Sequence, residues 1–115
     1  MCRVFIYGSL KTGQSNRHWM AGSHLLGEHT TAALYRLYDL GPYPAALPGG
    51  TTALKGEVHA LDTAHLHRLD HLENHPDEYE RGLIDTPWGA AWIYLYRHPL
   101  PSQARILPEG CWPAA

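Results

Sequence analysis

Residues 62–74, DTAHLHRLDHLEN, hold the one long stretch of helical period in the chain, and they constrain the fold more than any other segment. Leu66, Leu69 and Leu72 recur so that, at roughly 100° per residue, they form one apolar stripe about 120° wide. Asp62 or Thr63 is the expected N-cap, since a short oxygen-bearing side chain accepts from the N–H groups a first turn leaves free. With 115 residues in all, the chain is long enough for one core and has to build most of it from extended segments.

Those segments are bounded by glycine and proline. CRVFIY at 2–7 reads as a buried strand ending at Gly8. Glu28–Leu40 reads as a strand with β-favouring residues, weakened by Ala32 and Ala33. LKGEVHAL at 54–61 alternates as a strand does, and YERGLIDT (79–86) and AAWIYLYR (90–97) form two strands joined at Pro87-Trp88-Gly89 in a hairpin. SNRHWMAG reads as a short helix capped by Ser15 or Asn16. GPYPAALPGG at 41–50 predicts a break in regular structure, because its prolines and glycines force turns, and the tail from Pro99 reads as irregular. The expectation is a mainly β domain with one central helix, a single domain over 1–115.

Composition narrows the function classes. Apolar residues at 44% and charged ones at 17% fit a globular chain rather than a disordered one. A formal net charge of -2 with dispersed basic residues argues against a nucleic-acid partner. No apolar run approaches the ~18 residues of a membrane span, and the run at 4–6 is too short for a signal-peptide core, so a cytoplasmic protein is expected. Cys2 and Cys111 are then expected to remain two reduced thiols.

Two places carry chemistry. YGSLKTGQS at 7–15 follows the first strand, and Gly8, four residues, then Gly13-Gln14-Ser15 is one substitution from a P-loop. Gln14 replaces the lysine that reaches the outer phosphates, and Lys11 sits at the wrong place to compensate. A nucleoside triphosphate is thereby disfavoured, while N–H groups converging in a glycine turn still suit another anion. Glu73 falls about 20° from Leu66, within or beside the apolar stripe, where a solubilising glutamate would sit opposite. Apolar surroundings and the negative end of the helix dipole both raise a carboxylate's pKa. His65 shares the stripe and is expected to be a hydrogen-bonded structural histidine.

Other constellations weigh less. His67, His71 and His75 repeat at four-residue spacing, which suits zinc on a helix face. His67 and His71 point away from the leucines, however, and Pro76 ends the helix near His75, so solvated histidines and no metal are expected. Cys111 with His98 is a weak nucleophile pair in an irregular tail. Glu57 is a rival base, more commonly a cross-strand partner. Trp19, Trp88, Trp92 and the tyrosines are expected in the core rather than on a stacking platform.

YGSLKTGQSN, Tyr43-Pro44, Gly56–Val58 and LDHLENHPDEYER at 69–81 together resemble the γ-glutamylcyclotransferase-like family, most of all its small bacterial members and its γ-glutamylamine cyclotransferase branch. The likeness runs in order from Val4 to about Trp92. Asn74 stands where a glycine usually follows the glutamate, and asparagine tolerates the left-handed backbone a helix end needs. The resemblance implies a mixed α/β fold, a small barrel-like mixed β-sheet with a few helices, one of which carries the catalytic base. It also implies a reaction without cofactor: the substrate's α-amine attacks its own γ-carbonyl, expelling an amine or amino acid and leaving pyroglutamate (5-oxoproline). Glu73 is the implied general acid/base. Tyr7, Gly8, Ser9 and Leu10 are implied around the glutamyl portion, their N–H groups facing its α-carboxylate or the developing oxyanion. The implied partner is a small γ-glutamyl molecule, with neither nucleic acid nor membrane. The alternative is a binding or regulatory protein that keeps the pocket and turns nothing over.

Acidity limits that chemistry. A free glutamic acid near pKa ~4.3 lies about 3.5 units below an α-amino group near ~7.8, so moving the proton costs roughly 5 kcal/mol. Burial that raises Glu73 by about two units recovers about half of this while leaving the base mostly ionised at neutral pH.

Overall fold

The first apolar run becomes β1 (Cys2–Ile6), and β1 sits at the centre of a five-stranded sheet ordered β2-β5-β1-β7-β6. A computed structural model describes residues 1–114; Ala115, the last residue of the expected domain, lies outside the described residues. The other strands are β2 (His24–Thr30), β3 (Tyr35–Asp39), β4 (Pro44–Pro48), β5 (Lys55–Leu61), β6 (Tyr79–Thr86), β7 (Gly89–Tyr96) and β8 (Arg105–Ile106), with helix α1 (Thr63–Leu72) between β5 and β6. β1 runs antiparallel to β5 and parallel to β7, while β6 and β7 form the expected hairpin. A second sheet, β4-β3-β8, folds across the first, and β4 packs on β7. At the open side Trp88, from the β6–β7 turn, lies over Gly27 of β2, where an added Cβ would fall 2.7 Å from the ring. The result is a mixed α+β, barrel-like fold.

Side-chain alternation along β1 divides the core in two. Phe5 and Tyr7 point into the barrel with Leu37, Leu54, Val58 and Ile93, whereas Val4 and Ile6 point outward to Leu66 and Leu69 of α1 and to Tyr94 of β7. A strand buried on both faces needs a continuous apolar run, which is why residues 4–6 read as they do. Asp62 caps α1, its carboxylate accepting from the His65 N–H at 2.7 Å, and His65 itself is buried with Nε2 2.7 Å from the Trp19 carbonyl. The structural role expected of His65 is the one it has.

Several local expectations change. The stretch 28–40 is two strands, because the Thr31 N–H and hydroxyl turn aside to the Leu54 carbonyl and N–H, both at 2.9 Å, and break the run. Residues 44–48 form β4 despite their prolines: β4 is an edge strand, and proline's missing N–H costs nothing on an edge that faces no partner. The tail contributes β8, paired with β3. At 17–20 the chain makes only a 3-10 turn without a side-chain cap, since the Asn16 amide donates to the Ser9 hydroxyl instead. Trp19 and Trp88 lie at the surface rather than in the core. No helix among the described residues is long and apolar enough to cross a membrane, and both cysteines are unbridged.

Docking of α1 on the outer face of β1 rests on few side chains, so one truncation reads it out. Leu69 is fully buried. Leu69→Ala is expected to lower stability by about 2–5 kcal/mol, seen as a lower urea midpoint with an unchanged slope. A loss under ~1 kcal/mol would mean that α1 contributes little to the core.

Candidate active site

The end of β1 and the end of α1 meet at one cavity of about 200 Å3. Its walls include Tyr7, Gly8, Ser9 and Leu10 from the loop after β1, Tyr43 and Pro44 from the start of β4, and Leu72 and Glu73 from the end of α1. Glu78, Tyr79 and Tyr94 complete them. All five residues that the family likeness assigns to a site therefore line the same hollow.

Glu73 is the C-cap of α1 rather than a member of its last turn, with its N–H donating to the Leu69 carbonyl at 2.9 Å. The next residue, Asn74, takes φ +52°, the left-handed turn that asparagine accepts where glycine is usual. That turn ends the helix and leaves the Glu73 side chain directed along the apolar stripe into the cavity wall. Burial, helped by the nearby negative charge of Glu78, pushes the Glu73 carboxyl up to about 7. No Lys, Arg or His of the described residues forms an ion pair with it. An acid poised there exchanges protons readily at neutral pH.

Opposite the acid, Gly8 has no room for a side chain: a Cβ would lie 2.7 Å from Cδ of Pro44. The glycine thus lets the first loop close onto the Tyr43-Pro44 corner. Among the described residues nothing accepts from the backbone N–H groups of Gly8, Ser9 or Leu10, so these donors remain available to a ligand's carboxylate or oxyanion. The Tyr7 hydroxyl is engaged within the protein, donating to the Tyr94 carbonyl at 2.5 Å. Burial first, then the Glu73 charge, holds that phenol far above its ordinary range.

The walls are braced from behind. The Tyr94 hydroxyl donates to Asp70 at 2.7 Å, and the Arg81 guanidinium approaches the same carboxylate oxygen at 2.9 Å while lying 4.5 Å over the Trp92 ring. Asp70 belongs to α1, so this group ties the helix end to β6 and β7. Glu57, the rival base, lies outside the cavity and holds the first loop in place. Its carboxylate accepts from the Thr12 N–H at 3.1 Å and from His59 Nε2 at 3.0 Å. Desolvation raises its pKa, but these hydrogen bonds outweigh it and leave Glu57 below the usual carboxylate range.

The remaining candidates do not assemble. His67 and His71 are exposed, and His75 Nδ1 accepts from the Arg81 N–H at 3.4 Å. His98 lies edge-on to Tyr96, whereas Cys111 borders a separate hollow beside His29, so the two do not meet. Tyr43, Glu78, Tyr79 and Tyr94 were not anticipated as cavity residues. The first three stand inside the recognised motifs, while Tyr94 carries no local signal beyond its place on β7.

Fold and cavity together define a small barrel with an acid-bearing pocket at one rim. The chain belongs to the gamma-glutamyl cyclotransferase, AIG2-like family, matching it over residues 4–114. It is 46% identical to the gamma-glutamylcyclotransferase family protein ytfP of Citrobacter rodentium, over 96% of this chain and 94% of that one. The solution structure of Escherichia coli ytfP superposes with a TM-score of 0.78 at 43% identity, covering 96% of each chain. An AIG2-like protein from Mus musculus superposes at 0.79 with 26% identity, over 88% of this chain and 80% of that one.

The raised pKa of Glu73 has a thermodynamic cost. Its folded pKa lies above the unfolded value of 4.5, so the native state binds more protons between 4.5 and about 7. Stability from this group is therefore lost as pH rises through that window and levels off above it. At ~1.36 kcal/mol per unit the loss over this window of about 2.5 units is on the order of 3 kcal/mol. Glu73→Gln is expected to be more stable than the parent at pH 8 by that order, with most of the gain gone at pH 5. Denaturant melts at the two pH values measure this, and an equal effect at both would mean an unperturbed carboxyl.

Proposed function

We propose that this chain is a γ-glutamyl cyclotransferase acting on a small γ-glutamyl amine or amino acid. The observation that carries the reading is Glu73, a carboxyl pushed up to about 7, in one cavity with the unpaired N–H groups of residues 8–10. In this reading the substrate's α-carboxylate or developing oxyanion takes those N–H groups, curling the glutamyl chain. Glu73 removes a proton from the α-ammonium. The freed amine attacks the γ-carbonyl carbon of the same molecule, the new ring C–N bond forms and the bond to the departing nitrogen breaks. Glu73 returns its proton to that nitrogen as the bond breaks. It then takes the second proton that the ring nitrogen sheds on becoming the lactam N–H and passes it to the departed amine, which leaves as an ammonium beside pyroglutamate. The nucleophile belongs to the substrate, so orientation of two groups already joined supplies much of the acceleration. A base near 7 also brings the proton transfer close to balance with an α-amine near ~7.8.

Glu73→Gln is expected to lower pyroglutamate release by at least about 100-fold while still binding substrate. In the parent, kcat/KM is expected to rise with pH along a limb near 7, because the ionised carboxylate is the working form, and to sit roughly 100-fold below its plateau at pH 5. Following pyroglutamate from a panel of γ-glutamyl compounds measures both. Retained turnover in the Gln variant would remove Glu73 from the reaction.

A further inference from the structure

The cavity has one more carboxylate than cyclisation needs. Glu73 and Glu78 both line it, and no lining residue is Lys or Arg. Glu78 forms no ion pair among the described residues; its side chain receives only a hydrogen bond from the Tyr43 hydroxyl, at 3.3 Å. Its backbone is fixed on both sides, the N–H donating to the Asn74 carbonyl and the carbonyl accepting from the Arg97 N–H, each at 2.9 Å. Glu78 therefore stands on a rigid turn rather than a loose loop.

Aromatic rings gather around it. Tyr43 and Tyr79 meet nearly at right angles, 82°, with centroids 6.4 Å apart, and Tyr96 packs edge-on against Tyr79 at 5.3 Å. The negative charge of Glu78 is felt by all three phenols, which burial first and that charge in addition push above their ordinary range. Two carboxylates facing one hollow repel each other, and a carboxylate flanked by tyrosine rings is the arrangement that receives an ammonium ion.

We propose that Glu78, Tyr43 and Tyr79 form a cation subsite for the departing amine, selecting γ-glutamyl amines whose leaving group carries a second ammonium. This rests on the cyclotransferase reading above. The glutamyl α-ammonium does not answer the need, because it surrenders its proton to Glu73 and is neutral when it attacks. Only the leaving group brings a cation that persists through the reaction. A leaving group ending in a carboxylate meets repulsion at the same place.

Three substrates of equal length separate the terms: the γ-glutamyl amides of n-butylamine, 1,4-diaminobutane and 4-aminobutanoate. For the parent, kcat/KM for the diamine is expected to exceed that for butylamine by about 10- to 30-fold, with the aminobutanoate lowest, the scale of one charge-assisted contact. Glu78→Gln is expected to bring the diamine-to-butylamine ratio within about threefold of unity. A ratio within one variant is insensitive to any change in the acidity of Glu73. Turnover of all three at equal rates by the parent would overturn the subsite and leave cyclisation standing. An equal loss on diamine and butylamine in the variant would reassign Glu78 to the glutamyl group. Failure of all three to yield pyroglutamate would sink the cyclotransferase reading. Calorimetric titration of Glu73→Gln with the same amides then decides the subsite separately: tightest binding of the diamine supports it, and equal binding overturns it.

Discussion

Burial of β1 on both faces is the constraint from which the site follows. Phe5 and Tyr7 commit one side of the strand to the barrel interior, and Val4 and Ile6 commit the other to α1. A strand held from both sides ends at a fixed place, so the loop at Gly8 begins there in a defined direction. The helix docked on its outer face ends close by. Glu73 and the glycine loop are thus brought together by the apolar contacts made on the two faces of β1. Glu57 from one side, and Asp70 with Arg81 from the other, then stop the two ends from drifting.

The helix end shows how a polar residue is kept in an apolar place. The stripe of Leu66 and Leu69 would continue into solvent if α1 went on, or into nothing if it stopped abruptly. Asn74 with its left-handed backbone turns the chain immediately after Glu73, and the following segment folds back to start β6. The carboxyl is left where the helix dipole, the leucines and Glu78 all disfavour its charge. Among the described residues no cation pairs with it. A chain selected for stability alone would place a neutral or apolar residue there.

Much of this was legible in the sequence, and unevenly so. The helix and the β6–β7 hairpin could be read because their period and turn residues are local properties. The placement of Glu73 was readable from helical geometry, although the precise end of the helix was not: a C-cap is decided by the backbone of Asn74. β4 was hidden because its prolines forbid only an interior strand, and whether a strand is an edge is known only once the sheet is assembled. The break at Thr31 was equally invisible, since it depends on a hydroxyl finding Leu54 across the fold. Tyr94 lacked a signal for the same reason, and Glu78, although inside a recognised motif, carried nothing that marked it as a cavity residue. Their importance lies in which cavity they reach.

Glu57 and Glu73 make the general point about such sites. Both are glutamates held at partly buried positions next to the same loop, and residue type alone does not separate a base from a brace. Glu57 is met by a backbone N–H and a histidine, and its hydrogen bonds favour the charged form strongly enough to overcome desolvation. Glu73 meets leucine side chains and another acid, and the same desolvation goes unopposed. One carboxylate is consequently locked in its ionised state and serves as an anchor for Thr12. The other stays near balance between its two states, which is the condition a proton carrier must satisfy. Exchanging the surroundings, rather than the residues, would exchange the roles.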